Sequence, residues 1–264
     1  MKVGFVQNHP QFGNIQDNLS RIEEMLDGKM ADLFVLPELF STGYRFKKMD
    51  EAHQYAELVP GGVVTSFLTS LAKKINTYFI AGLVEIDDDR IYNSSITVGP
   101  EGFIGRYRKI HLFDTEKACF HAGTEAPPVF NLNGIKVGVM ICFDWRFPEI
   151  ARSLALNGAE IIAHPSNLVL PHCPQAMITR CLENRVYTIT ANRVGNENRI
   201  PDEILHFIGQ SQVVDPDGNI LIRGSEIEEE VQIVEIDLEK AREKGINSRN
   251  DIFKDRRPDL YSLR

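Results

Sequence analysis

Short apolar, β-branched runs alternate with amphipathic stretches of helical spacing along nearly the whole chain. That alternation confines it to a layered α/β fold, in which helices cover the faces of mixed sheets. Strands are predicted at Val3–Gln7, Leu33–Pro37, Tyr78–Val84, Ile161–His164, Tyr187–Ala191 and Glu230–Ile236. The intervening helices fall at Asn18–Asp27, after Pro60-Gly61-Gly62, at Pro148–Asn157 and at Pro174–Val186. The last has Met177, Cys181 and Leu182 facing inward. Turn residues at Gly99–Gly102, Asn133-Gly134 and Asp215–Asn219 mark three hairpins. No internal repeat or low-complexity linker interrupts the pattern. We therefore read one domain over residues 1–264, with 247–264 as a polar, charged C-terminal tail.

The bulk properties exclude several classes. With 264 residues the chain can bury a large core without staples. A net charge of −8 lacks the basic footprint of a nucleic-acid binder. No apolar run is long enough to span a membrane, and the N-terminus goes straight into a strand rather than a signal peptide. A cytoplasmic location is expected. Four cysteines in a chain this long make no disulfide scaffold, and the seven histidines show no metal-ligand spacing. No cofactor is expected.

Cys142 is the most informative single residue. The apolar run Ile135–Ile141 delivers it into Phe143-Asp144-Trp145-Arg146, and a helix starts near Pro148. A thiol at a strand end close to a helix N-terminus is where a thiolate can form near neutral pH. A free cysteine is also a common core residue, so the setting matters more than the residue type. Glu38 closes a second apolar run, where burial raises a carboxylate's pKa toward the range of a general base. Lys109 follows Arg106 and Arg108. The return to apolar character in Ile110-His111-Leu112-Phe113 carries that segment inward rather than along a solvated edge. A carboxylate, an ammonium and a thiol at strand rims suit nucleophilic acyl transfer. A cysteine–histidine pair using His111 or His164 is the competing arrangement that spacing leaves open.

Three segments, in order, resemble the nitrilase superfamily of carbon–nitrogen hydrolases: Val35-Leu36-Pro37-Glu38, Tyr107–Leu112 and Gly138–Glu149. Further similarity lies in Gly158–Glu160, His164–Asn167 and Arg180 with Glu183–Arg185. The resemblance implies a four-layer α-β-β-α sandwich with two mixed sheets. It implies Glu38 as general base, Lys109 as the cation facing the oxyanion, Cys142 as nucleophile and Glu116 as a second carboxylate of the pocket. It also implies a homodimer or higher homo-oligomer, with the tail engaged in dimer contacts.

Family members cut nitriles, primary amides, carbamoyl groups or secondary amides. The absence of long insertions, and Phe143-Asp144 after the cysteine where true nitrilases carry Trp-Glu, favour a small primary amide. A carbamoyl-amine hydrolase, a nitrilase and a catalytically silent binding protein are the alternatives. The Phe143 backbone N–H is a candidate oxyanion donor. Tyr44, Phe113, Trp145 and Asn167 are candidate pocket walls. Arg146 either pairs with Glu149, makes a dimer contact, or clamps a substrate carboxylate.

Overall fold

The computed structural model describes residues 1–261. Strands β1 (Lys2–Gln7), β2 (Leu33–Val35), β3 (Glu57–Leu58), β4 (Tyr78–Asp87), β5 (Arg90–Gly99) and β6 (Gly102–Arg108) build one sheet. It runs β15-β1-β2-β4-β5-β6, with β3 beside β4 and the late strand β15 (Glu230–Glu235) on its edge. The second sheet contains β7 (Val129–Leu132), β8 (Ile135–Val139), β9 (Ile161–Pro165), β10 (Tyr187–Ala191), β13 (Gln212–Val214) and β14 (Ile220–Arg223). Its order is β14-β13-β10-β9-β8-β7. Both sheets mix parallel and antiparallel pairs. Between β10 and β13 the chain throws out a separate hairpin, β11 (Asn196–Ile200) with β12 (Glu203–His206), that the sequence pattern did not announce.

Side-chain alternation explains the layering. In the first sheet Val3, Phe5, Leu33, Val35 and Ile80 share a core with Val137, Val139, Ile161 and Ile189 of the second sheet. The opposite face presents Val6, Phe34, Phe79, Ala81 and Leu83 to helices α1 (Ile15–Leu26) and α3 (Val63–Ile75). The outer face of the second sheet is covered by α5 (Pro148–Leu156) and α6 (His172–Asn184). This is the α-β-β-α sandwich. Three further short helices, α2 (Met49–His53), α4 (Glu116–Cys119) and α7 (Glu239–Arg242), sit in connections. From the tail, Phe253 packs against the main core.

Three local expectations shift. The strand predicted to run to Pro37 ends at Val35, because the chain turns there to present Glu38. Met177 and Cys181 are buried in α6, but Leu182 is 49% exposed. It stands about 100° round the helix from Cys181 and rests over the turn at Gly218. The helix after Cys142 starts at Pro148, but a 3-10 turn, Cys142–Arg146, intervenes.

Candidate active site

Glu38, Lys109, Glu116 and Cys142 come from three separate connections, Lys109 and Glu116 sharing one, and converge beside one cavity. Each is placed by backbone that the sheets fix. Glu38 lies in a loop clamped onto β4: the Gly82 N–H donates to Pro37 O (3.1 Å), and the Phe40 N–H donates to Gly82 O (3.2 Å). A Cβ at position 82 would stand 2.5 Å from the Glu38 Cα, so only glycine allows this approach. Lys109 follows β6 directly, its N–H donating to Asn93 O at 2.9 Å. Glu116 opens α4, and its Oε2 accepts the Phe113 N–H at 3.0 Å.

Lys109 Nζ donates to Glu38 Oε1 (2.6 Å) and to Glu116 Oε1 (2.8 Å). Asn93 Nδ2 also donates to Glu38 Oε1, at 2.7 Å, and the Tyr44 hydroxyl donates to Glu116 Oε1, at 2.8 Å. All of these groups are buried. Glu38 Oε2 has no hydrogen-bond partner among the described residues. Burial alone pulls a lysine's pKa down. Here Glu116 and Glu38 overcome it and hold Lys109 above its ordinary value, as a fixed cation. Burial pushes Glu116 up to about 7, with Glu38 adding and Lys109 opposing.

Cys142 sits at the head of the 3-10 turn with φ 38°, in the left-handed region. Asp144 Oδ2 accepts the Ile141 N–H (2.9 Å) and the Tyr107 hydroxyl (2.9 Å), which locks the turn. The thiol lies 3.8 Å from Asn167 O. Position near a helix start favours a thiolate, but burial pushes the Cys142 thiol well above its usual pKa. Glu38 and Glu116 add to that, and Lys109 only partly offsets it. The cysteine needs a base. Neither imidazole is placed to serve. His164 Nε2 bonds the Cys142 carbonyl at 2.9 Å, and His111 Nδ1 bonds Asp144 at 2.7 Å while its ring stacks on Phe147.

Cys142 opens on a cavity of about 510 Å³. Phe113, Phe143, Trp145 and Asn167 all line it, with Leu168, Val169 and Leu170 completing an apolar wall. Arg146 and His172 also line it. Arg146 is exposed, its guanidinium 5.4 Å from the Trp145 ring centroid; among the described residues it forms no ion pair with Glu149. Tyr44 is placed differently from the wall residues: it stands behind Glu116, buried against Phe207. Asn167 Nδ2 also ties the cavity to the Glu38 loop, donating to Glu38 O at 2.8 Å. Sequence reasoning missed Asn93, Gly82 and Asp144. Asn93 stands among Ser94, Ser95 and Thr97 in its strand, so nothing in the sequence singled it out.

The family model for carbon–nitrogen hydrolases matches residues 2–245, and the chain belongs to that family, within the nitrilase superfamily. Among relatives, it is 50% identical to a protein named nitrilase from Pyrococcus abyssi, over 99% of both chains. It is 33% identical to the 2-oxoglutaramate amidase of Bacillus subtilis, over 98% of each. The crystal structure of a carbon–nitrogen hydrolase from Helicobacter pylori G27 superposes with a TM-score of 0.85. The two are 26% identical, over 99% of this chain and 97% of that one.

Proposed function

We propose that this enzyme hydrolyses a small primary amide to a carboxylate and ammonia through a thioester on Cys142. The observation that carries the reading is the buried ammonium of Lys109, shared by two carboxylates beside a cavity that ends at a thiol. Glu38 takes the thiol proton as the sulfur attacks the amide carbon; its unpartnered Oε2 is the acceptor for it. Lys109 and the Phe143 N–H stabilise the oxyanion. The carbon–nitrogen bond breaks as Glu38 returns the proton to the leaving nitrogen, releasing ammonia. Water then attacks the thioester, giving a proton to Glu38 or Glu116, and the carbon–sulfur bond breaks to restore the thiol.

The cavity's lining, aromatic side chains with Arg146 among them, supports an acyl chain that ends in a carboxylate. A monoamide of a dicarboxylic acid fits that arrangement, and the name of the Bacillus subtilis relative denotes such a substrate. The Pyrococcus abyssi relative's name favours a second reading, in which a nitrile is the substrate. The test is ammonia release from matched amides, carbamoyl amines and nitriles, with wild type beside Cys142→Ala. Amide turnover that vanishes in the variant is the expected result. Turnover that survives it removes Cys142 as nucleophile, and faster nitrile than amide turnover selects the second reading.

A further inference from the structure

The β11–β12 hairpin brings a buried ion pair to the back of the site. Arg193 and Glu197 are both buried, and the guanidinium bonds Glu197 Oε1. Glu197 also accepts two backbone N–H groups from a distant loop, Tyr44 N to Oε1 (3.0 Å) and Arg45 N to Oε2 (2.7 Å). A carboxylate that accepts consecutive amides fixes the orientation of that backbone. Arg193 stands over the Phe207 ring at 4.0 Å, and Phe207 packs edge-on against Tyr44. The Tyr44 hydroxyl then ends on Glu116 Oε1, the atom that also takes Lys109 Nζ. Arg45, next in the chain, ties the same loop to Thr115 beside α4 and to Glu203 on the hairpin.

We propose that Arg193 and Glu197 are positioning residues for the reaction: they hold the Tyr44 loop so that the tyrosine hydroxyl seats on Glu116 and shares its charge with Lys109. The inference rests on the reading of Cys142, Lys109 and the two glutamates given above. Without the hydroxyl, Glu116 keeps the Phe113 N–H on Oε2 but has Lys109 alone on Oε1. The ammonium is drawn from Glu38, and the ionised form of Glu116 loses a donor. The groups facing Glu116 are Lys109, Glu38, Tyr44, Cys142 and, on its own helix, Cys119. Those facing Glu197 are Arg193 and His9, besides the two backbone amides.

The experiment is the pH profile of kcat/KM on the best primary amide for wild type, Tyr44→Phe, Glu197→Gln and the double variant. Glu197→Gln puts an NH2 group against one of the two backbone N–H donors. Losing a hydrogen bond to the carboxylate raises its proton affinity. The acidic limb therefore moves to higher pH in both single variants, with kcat falling about tenfold. The double variant moves no further than either single one, because both act through the same bond. A Glu197→Gln protein that melts lower but keeps the wild-type limb overturns the inference, as does a double variant whose shifts add. Should Glu197→Gln fail to fold, Glu197→Asp keeps the charge while retracting it by one methylene. An unmoved limb in that soluble variant overturns the inference equally. Turnover by Cys142→Ala tells against the underlying mechanism instead, so the two failures are distinguishable.

Discussion

Arg146 illustrates how far a single residue can be read. The sequence offered three roles for it, and geometry weighs against one: its guanidinium lines the cavity and forms no ion pair with Glu149 among the described residues. If it clamps a substrate carboxylate, Arg146→Met removes charge-assisted hydrogen bonds of about 1.5–3 kcal/mol. The expected outcome is a ten- to hundredfold loss in kcat/KM for an amide with a distal carboxylate, mostly in KM, with a neutral amide of equal length little changed. Equal losses on both amides would refute the clamp. Glu38, Lys109 and Cys142 were legible as candidates because each breaks an apolar pattern: Glu38 stands between bulky apolar residues, apolar sequence returns after Lys109, and Cys142 closes an apolar run. Glu197 was not legible. Its neighbours, Asn196 and Asn198, read as an ordinary polar loop, and the backbone amides it holds, at Tyr44 and Arg45, lie some 150 positions away in the chain. The protonation of Cys142 was not legible either: its position near a helix start favours a thiolate, whereas burial and two carboxylates oppose one.

At the scale of elements, the strands and main helices followed from periodicity, and the early strand ends share one physical origin. Where a strand must hand a side chain to the site, it stops early: β2 ends at Val35 and β8 at Val139, each short of its apolar run. The remaining residues are apolar because they are buried, not because they pair. Leu182 shows the converse, an apolar residue placed off the buried stripe by helix geometry. The contact between β4 and the Glu38 loop yields a direct prediction. Gly82→Ala forces a methyl against the Glu38 backbone, a rigid neighbour that cannot yield as a side-chain tip would. The expected cost is about 1–3 kcal/mol in chemical denaturation, with turnover falling more than stability alone explains. A variant with wild-type stability and rate would show that the loop is not clamped as described.

Across the whole molecule, acid stability turns on His164, fully buried near the end of β9 and bonded to Thr190 and the Cys142 carbonyl. Burial pushes its pKa down to about 4. The unfolded chain therefore binds that proton more tightly than the folded one between about pH 6.5 and 4. Its contribution is present above pH 6.5 and is lost as pH falls through 4, by up to about 3 kcal/mol. Denaturation series at pH 7 and pH 5 should show a smaller acid loss for His164→Gln than for wild type, and an unchanged loss would place the acid sensitivity elsewhere. The left-handed backbone at Cys142 has a broader consequence. A non-glycine residue there costs about 1–3 kcal/mol, so glycine is the residue the backbone itself would choose. Cys142→Gly should lose less stability than truncating an equally buried side chain elsewhere, while losing all turnover. Selection for thermal robustness would thus guard this cysteine less strictly than other buried side chains, so its retention would rest largely on selection for turnover.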